Sequence, residues 1–252
     1  MRNPSPIILV SNDDGFRSEG IIALSEALRP LGTVYVVAPD RERSAAGHSL
    51  TLSHPLRVEK VGHRIYAVDG TPTDCVNLAV NGILRKKKID ILVSGINKGG
   101  NMGDDITYSG TVSAAMEGTL LGIPSVAVSL VSRNNFRFDA AAEFAAKVAR
   151  KVLSRKLPKD TLLNVNLPNV QKSEIRGVKV TRQGKRIYGE AVVEKRDPRG
   201  RKYFWIGGDT LQTKDIPGSD LEAVEQNYIS ITPIHLDLTN YMSLRTLKRW
   251  KW

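Results

Sequence analysis

Cysteine is almost absent from this chain: Cys75 stands alone among 252 residues. No internal disulfide can form, and no thiolate cluster can hold a metal. Four histidines, at positions 48, 54, 63 and 235, lack the spacing of a zinc site. Aromatic residues make up only 6% of the chain, and the apolar runs stop at strand length, too short for a membrane-spanning helix. The opening residues Met1-Arg2-Asn3-Pro4 contain no apolar core of an export signal. Together these absences lead to the expectation of a soluble, cytoplasmic protein with no membrane partner.

Acidic residues are the minority among the charged ones, and the formal net charge is +11. Such a balance first points to nucleic acid, but its distribution argues against that. Residues 147 to 202 hold seventeen Lys and Arg against five Asp and Glu, so the rest of the chain is near neutral. No zinc-finger, helix-turn-helix or RNP signature accompanies the basic stretch. It reads as a solvated face or as a field that steers anionic substrates, and nucleic acid is not expected as the primary partner.

What is present is an alternation of strand and helix patterns. Ile7–Val10, Val34–Ala38, Ile89–Val93 and Val126–Leu130 read as buried strands, with shorter β stretches at Leu56–Val61 and Arg64–Val68. Helical spacing is expected over Ser18–Leu31, Thr73–Leu84, Thr111–Leu121 and Asp139–Leu153. The alternation defines an α/β fold with a doubly wound, mostly parallel sheet. We expect a catalytic core over residues 1–156. Residues 157–252 would supply the remaining core strands and an arm. In that second part Leu162–Asn166 and Ile229–Thr232 read as core strands, with a short helix near Leu221–Asn227. Val178–Thr181, Ala191–Glu194 and Tyr203–Ile206 read as antiparallel pieces, with a hairpin turn at Asp197-Pro198-Arg199-Gly200. The amphipathic tail Leu244–Trp252 and the hairpin would suit an oligomer contact.

Candidate chemistry gathers in the loops that follow the strands. Ile7–Val10 runs directly into Ser11-Asn12-Asp13-Asp14-Gly15. Two adjacent carboxylates repel and resist ionising together, and a hard cation is the simplest reason to keep both. Gly15 lets the backbone turn so that the two side chains can converge. The second loop, Pro39-Asp40-Arg41-Glu42-Arg43-Ser44-Ala45-Ala46-Gly47-His48-Ser49, leaves the Ser44 hydroxyl free to approach an ion. His48 is expected to satisfy a hydrogen bond rather than ligate a metal. The third loop, Ser94-Gly95-Ile96-Asn97-Lys98-Gly99-Gly100-Asn101-Met102-Gly103, has four glycines within nine residues and offers the Asn97 carbonyl oxygen to a cation. Ser109-Gly110-Thr111 then opens a helix, whose unpaired N–H groups make a seat for phosphate. Thr71 is expected to cap the helix that Pro72 starts, and Cys75 to sit in the core. Neither a Walker loop nor a GxGxxG fingerprint occurs, which argues against dinucleotide binding.

Asn12-Asp13-Asp14-Gly15, Ala38-Pro39-Asp40 with Ser44-Ala45 and Gly47-His48-Ser49, Gly70-Thr71-Pro72 with Asp74, Ser94-Gly95 with Asn97, Gly99 and Asn101, Ser109-Gly110-Thr111-Val112, and Ser230-Ile231-Thr232-Pro233 occur in this order. The set resembles the SurE family of survival nucleotidases over nearly the whole chain. The resemblance implies a Rossmann-like core with a C-terminal extension for oligomerisation into a homodimer or tetramer. It also implies a phosphomonoesterase acting on nucleoside 5′-monophosphates, often on 3′-monophosphates, and on short polyphosphate in addition. One divalent ion per subunit, Mg²⁺ or Mn²⁺, would be held by Asp13, Asp14, Ser44 and Asn97. Of these, Asp13, Asp14 and Asn97 would serve catalysis, while Asn12, Ser94, Gly95, Ser109, Gly110 and Thr111 would hold phosphate. Attack by water and attack by Asp13 itself are both open. The alternative is a non-catalytic, metal-assisted module that binds nucleotide or RNA.

Overall fold

A computed structural model describes residues 5–188, 192–206, 211–214 and 216–252. The strands in chain order begin with β1 (Ile7–Ser11), β2 (Thr33–Pro39), β3 (Val58–Gly62), β4 (Ile65–Val68) and β5 (Ile91–Lys98). Next come β6 (Ser125–Val131), β7 (Thr161–Pro168) and β8 (Gly177–Val180). Four short strands outside the main sheet follow, paired as β9 with β12 and β10 with β11: β9 (Arg186–Tyr188), β10 (Val192–Arg196), β11 (Lys202–Ile206) and β12 (Leu211–Thr213). The last strand, β13 (Tyr228–His235), belongs to the main sheet.

The main sheet has the order β3-β4-β2-β1-β5-β6-β7-β13-β8. From β4 to β7 every pairing is parallel; β3 and β13 run antiparallel to β4 and β7. Helices cover both faces. On one face lie α1 (Glu19–Leu28) and α4 (Phe138–Ser154), packed on Ile8, Val10, Ile91 and Val93. On the other lie α2 (Pro72–Leu78) and α3 (Gly110–Leu120), packed on Leu9, Val37 and Leu92. Burial on both faces is why the runs Ile7–Val10 of β1 and Ile91–Val93 of β5 are continuously apolar instead of alternating. The remaining helices are α5 (Asp220–Glu225) and α6 (Tyr241–Leu247).

The expected doubly wound α/β architecture is present, with differences in detail. The Thr73–Leu84 pattern is not one α-helix: α2 stops at Leu78, and a π-helical turn covers Ala79–Ile83. The helix expected to end at Leu31 closes at Leu28 and continues as a 3₁₀ turn over Arg29–Leu31, where Pro30 cannot donate an α-helical bond. The Val178–Thr181 stretch is not antiparallel; β8 runs parallel to β13, so direction there is set by a partner fifty residues away. The hairpin around Asp197–Gly200 forms as expected, joining β10 to β11, while Ala191 lies outside the described residues. In the tail a helix covers Tyr241–Leu247, overlapping the start of the amphipathic Leu244–Trp252 stretch, with Trp250 and Trp252 beyond it.

The chain leaves β1 for β2 on one side and later crosses to β5 on the other. The carboxyl ends of β1 and β5 therefore face the crevice at which an open α/β sheet takes its ligand.

Candidate functional site at the carboxyl edge of the sheet

Four segments meet at that crevice. At the end of β1 the Asn12 side chain donates to Gly15 O at 3.0 Å and to Ser18 Oγ at 2.8 Å, which fixes the turn. Gly15 takes φ +92°, a conformation that L side chains rarely adopt. Ser18 in turn caps α1. The turn leaves Asp13 buried and Asp14 partly buried.

The loop after β2 is tied to the same place. Arg43 N donates to Asp13 O at 2.8 Å, and the Arg43 guanidinium donates to Asp69 O at 2.8 Å. Ser44 does not offer a wholly free hydroxyl: it donates to Glu42 Oε1 at 2.7 Å, which leaves the lone pairs of its oxygen available. From β5, Lys98 N donates to Asp14 Oδ2 at 3.2 Å. Asn97 commits its amide nitrogen to Gly99 O at 2.8 Å, so its carbonyl oxygen is the atom offered to a ligand.

The fourth segment is the start of α3. Ser109 is its N-cap, accepting from Val112 N at 3.1 Å. The Thr111 hydroxyl donates to Asp13 Oδ1. Gly110 lies against the same carboxylate: a Cβ there would stand 2.7 Å from Asp13 Cβ and 2.9 Å from its Oδ2. An acid and an anion-seeking helix end are thus in direct contact.

Burial pushes the Asp13 carboxyl above the ordinary carboxylate range, against the pull of the Thr111 hydrogen bond. Asp14 is pushed up to about 6, first by burial and then by the charge of Asp13. Glu42 adds to the repulsion on both. These carboxylates lack a positive partner strong enough to offset their burial. Among the described residues no group of three or more His, Cys, Asp and Glu forms a metal cluster. A cation here would draw on the neutral oxygens of Ser44 and Asn97 as well. That all-oxygen set fits Mg²⁺ or Mn²⁺.

The other expected site residues are placed as follows. Ser94 sits midway along β5, opposite Ser11 at the end of β1, and both hydroxyls are buried without a hydrogen-bond partner among the described residues. Asn12 Oδ1 is buried and unpartnered as well. Gly95 admits no side chain, since a Cβ would stand 2.3 Å from Val128 O. Thr71 caps α2 with Asp74 in a reciprocal capping box, and Cys75 is fully buried, its thiol pushed up by burial. His48 satisfies a hydrogen bond with Glu117, as expected.

Several supporting residues escaped the sequence reading. Glu117, a lone acid inside the apolar α3, was the one with a visible signal. An amide network fixes the glycine-rich loop: Asn101 N donates to Asn166 Oδ1 at 2.9 Å, and Asn164 Nδ2 donates to Asn101 O at 2.8 Å. Asp220 accepts from Gly103 N at 2.9 Å and Gly184 N at 2.8 Å, tying that loop to the base of the arm.

Fold and site together define a Rossmann-like α/β protein with an acidic strand end set against a phosphate-ready helix start. Residues 8–190 match the family model described as survival protein SurE. The chain belongs to the SurE family. It is 60% identical over 244 residues to the 5′-nucleotidase SurE of Geobacter sulfurreducens, covering 96% of this chain and 93% of that one. It is 54% identical to the 5′-nucleotidase SurE of Myxococcus xanthus, covering 100% of this chain and 95% of that one. The crystal structure of the SurE protein from Aquifex aeolicus superimposes with a TM-score of 0.86 at 50% identity, covering 96% of this chain and 98% of that one.

Proposed function

We propose that this chain is a 5′-nucleotidase that hydrolyses nucleoside monophosphates with the help of one divalent cation per subunit, Mg²⁺ or Mn²⁺. The names of its relatives support the activity. The observation that carries the cation is the adjacent pair Asp13 and Asp14, one buried and one partly buried, both with raised carboxyls, with Asp13 set against the N-terminus of α3. Two such carboxylates beside a phosphate would repel it unless a positive charge lay between.

Asp13, Asp14, Ser44 and Asn97 would hold the cation. When bound, it supplies charge neutralisation for the phosphate and a lowered pKa for a bound water. Gly110 N and Thr111 N, at the start of α3, would receive phosphate oxygens, with Ser94 and Ser109 beside them; Thr111 N already donates to the Asp13 carboxylate, which ties the acid to that seat. Those donors stand ready before the reaction and meet the charge that develops on the phosphoryl oxygens. Lys98 is exposed at the rim and would draw the substrate in. Asp13 has Oδ1 engaged by Thr111 and its Cβ closed in by Gly110, which favours a holding role over nucleophilic attack. Acid-quench trapping of a phospho-aspartate during turnover would overturn that assignment. Recognition centred on phosphate also admits 3′-monophosphates and short polyphosphate.

Phosphate release from AMP is expected to stop in EDTA and to return with Mg²⁺ or Mn²⁺. Asn97→Ala should weaken Mn²⁺ binding about tenfold or more, in the range common for lost coordination support, without shifting the melting temperature of the metal-free protein. Activity that survives exhaustive chelation would refute the proposal.

A second expectation concerns pH. Because Asp13 and Asp14 hold protons more tightly folded than unfolded, the metal-free protein gains stability as pH falls through about 6 toward the ordinary carboxylate value of 3.8, and that gain is lost as pH rises back through about 6. Glu117, held below the ordinary range chiefly by the His48 hydrogen bond, acts oppositely, but only at more acidic pH. Thermal melts in EDTA should therefore rise between about pH 7 and pH 5, and added Mn²⁺ should flatten or reverse that slope. A flat metal-free profile would count against the buried pair.

Self-association into a homodimer or tetramer is supported by the exposed apolar side chains Val192, Phe204, Trp205 and Ile206 of the β10–β11 hairpin and Trp250 and Trp252 of the tail. Among the described residues no helix is long and apolar enough to cross a membrane. A cytoplasmic location is proposed on the lone, buried thiol.

A further inference from the structure

Glu117 is a carboxylate that the proposed chemistry does not use, yet it is only 6% exposed, two turns down α3 from Gly110. Its Oε1 accepts from Asn77 Nδ2 of α2 at 2.8 Å, and its Oε2 lies 3.0 Å from His48 Nε2. An ionised carboxylate only accepts, so His48 must donate through Nε2. His48 stands at the downstream root of the loop that carries Ser44. Upstream, that loop is held by Asp40 N to Val68 O and by Arg43 N to Asp13 O, each 2.8 Å. Downstream, Gly47 N donates to Tyr108 O at 3.2 Å, and the Thr71 hydroxyl donates to Ser49 O at 2.8 Å. Between the roots the bonds are local, from Ser44 to Glu42 and from Ser49 to Ala46 O. The His48–Glu117 bond is thus a long-range side-chain tie between the Ser44 loop and the helix whose first turn seats phosphate.

We propose that His48 and Glu117 form a positioning pair that sets Ser44 at the cation site. This rests on the reading of Ser44 as a cation ligand. A loop that drifts by a fraction of an ångström would still fold, but its hydroxyl would no longer meet an ion held by Asp13, Asp14 and Asn97. A purely structural role for the pair would lower the melting temperature and leave cation affinity alone.

The test is Mn²⁺ binding to the metal-free protein, by calorimetry or electron paramagnetic resonance, independent of turnover. His48→Leu should raise the Mn²⁺ dissociation constant about tenfold, as loss of a supporting partner commonly does. His48→Gln, which can still donate to Glu117, should stay within about twofold of wild type, and Ser44→Ala should weaken binding at least as much as His48→Leu. Added to Ser44→Ala, His48→Leu should then have no further effect, because groups that act as one unit are not additive. The paired variant His48→Leu with Glu117→Gln leaves no uncompensated buried charge and gives the same reading should His48→Leu not fold. Wild-type affinity in His48→Leu, or full additivity with Ser44→Ala, would overturn the positioning role while leaving the cation site intact. A wild-type protein that binds no Mn²⁺, or a Ser44→Ala variant that binds as wild type, would overturn the ligand reading and this inference with it.

Discussion

Asp13→Asn should lower the rate of phosphate release from AMP at least about a hundredfold, as removal of a key charged or donor group at such sites commonly does. The same change should leave the fold intact and raise the melting temperature of the metal-free protein. Asparagine has the shape of aspartate and keeps an Oδ1 that can accept from the Thr111 hydroxyl. What it loses is the negative charge, and that charge is a burden on the empty fold: burial and the Asp14 and Glu42 charges oppose it. Removing it also lets Asp14 ionise more readily, since the Asp13 charge is one cause of its raised carboxyl. A gain in stability with a loss of activity is the signature of a residue kept for its site and not for the fold. Steady-state kinetics at saturating Mn²⁺ and thermal melts in EDTA measure the two halves separately. Near-normal turnover, or a lower melting temperature with no other change, would show that Asp13 is an ordinary structural acid.

Much of this arrangement was legible before any coordinates, for physical reasons that differ from element to element. The apolar run Ile7–Val10 announces a strand buried on both faces, and the helices on either side of β1 account for it. The break into Asn12-Asp13-Asp14-Gly15 marks the carboxyl end, because only a turn that holds a ligand or faces water tolerates such a sequence. Chain spacing could not show that Thr111, ninety-eight residues on, donates to Asp13. Nor could it show that Asn12 is occupied in holding its own turn. The π-helical turn at Ala79–Ile83 escaped because its apolar spacing hardly differs from that of an α-helix over one turn. The direction of β8 escaped because it depends on which strand lies beside it, a long-range fact. Nothing in Arg-Glu-Arg-Ser says that the Ser44 hydroxyl turns back to Glu42, so the sequence alone leaves it free. Glu117 leaves a trace, an acid among Val112, Ala114, Ala115 and Met116, whose partner His48, in the loop after β2, only the fold supplies.

Gly110→Ala is the substitution for which helix propensity and site geometry give opposite answers, and the site should prevail. Alanine is favoured over glycine inside a helix by about 0.8–1.0 kcal/mol, and it also reduces the freedom of the unfolded chain. Gly110 has no left-handed backbone that would forbid a side chain. Yet its Cβ would come within 2.7 Å of Asp13 Cβ, 2.9 Å of Oδ2 and 3.1 Å of Cγ. The closest of these atoms is bonded directly to the backbone of the turn after β1 and cannot swing away, so either the carboxylate rotates or the first turn of α3 shifts outward. Both movements separate the acid from the phosphate seat. A displacement of about 1 Å costs on the order of a hundredfold in rate when reacting groups must be aligned, and a loss of that size is expected here. Gly82 supplies the matched control: a Cβ there meets nothing within 4 Å, so Gly82→Ala should leave turnover unchanged and hold or slightly raise the melting temperature. If Gly110→Ala behaves like Gly82→Ala in turnover and Mn²⁺ affinity, the contact between α3 and Asp13 does not govern the chemistry, and the phosphate seat must be sought elsewhere on the sheet edge.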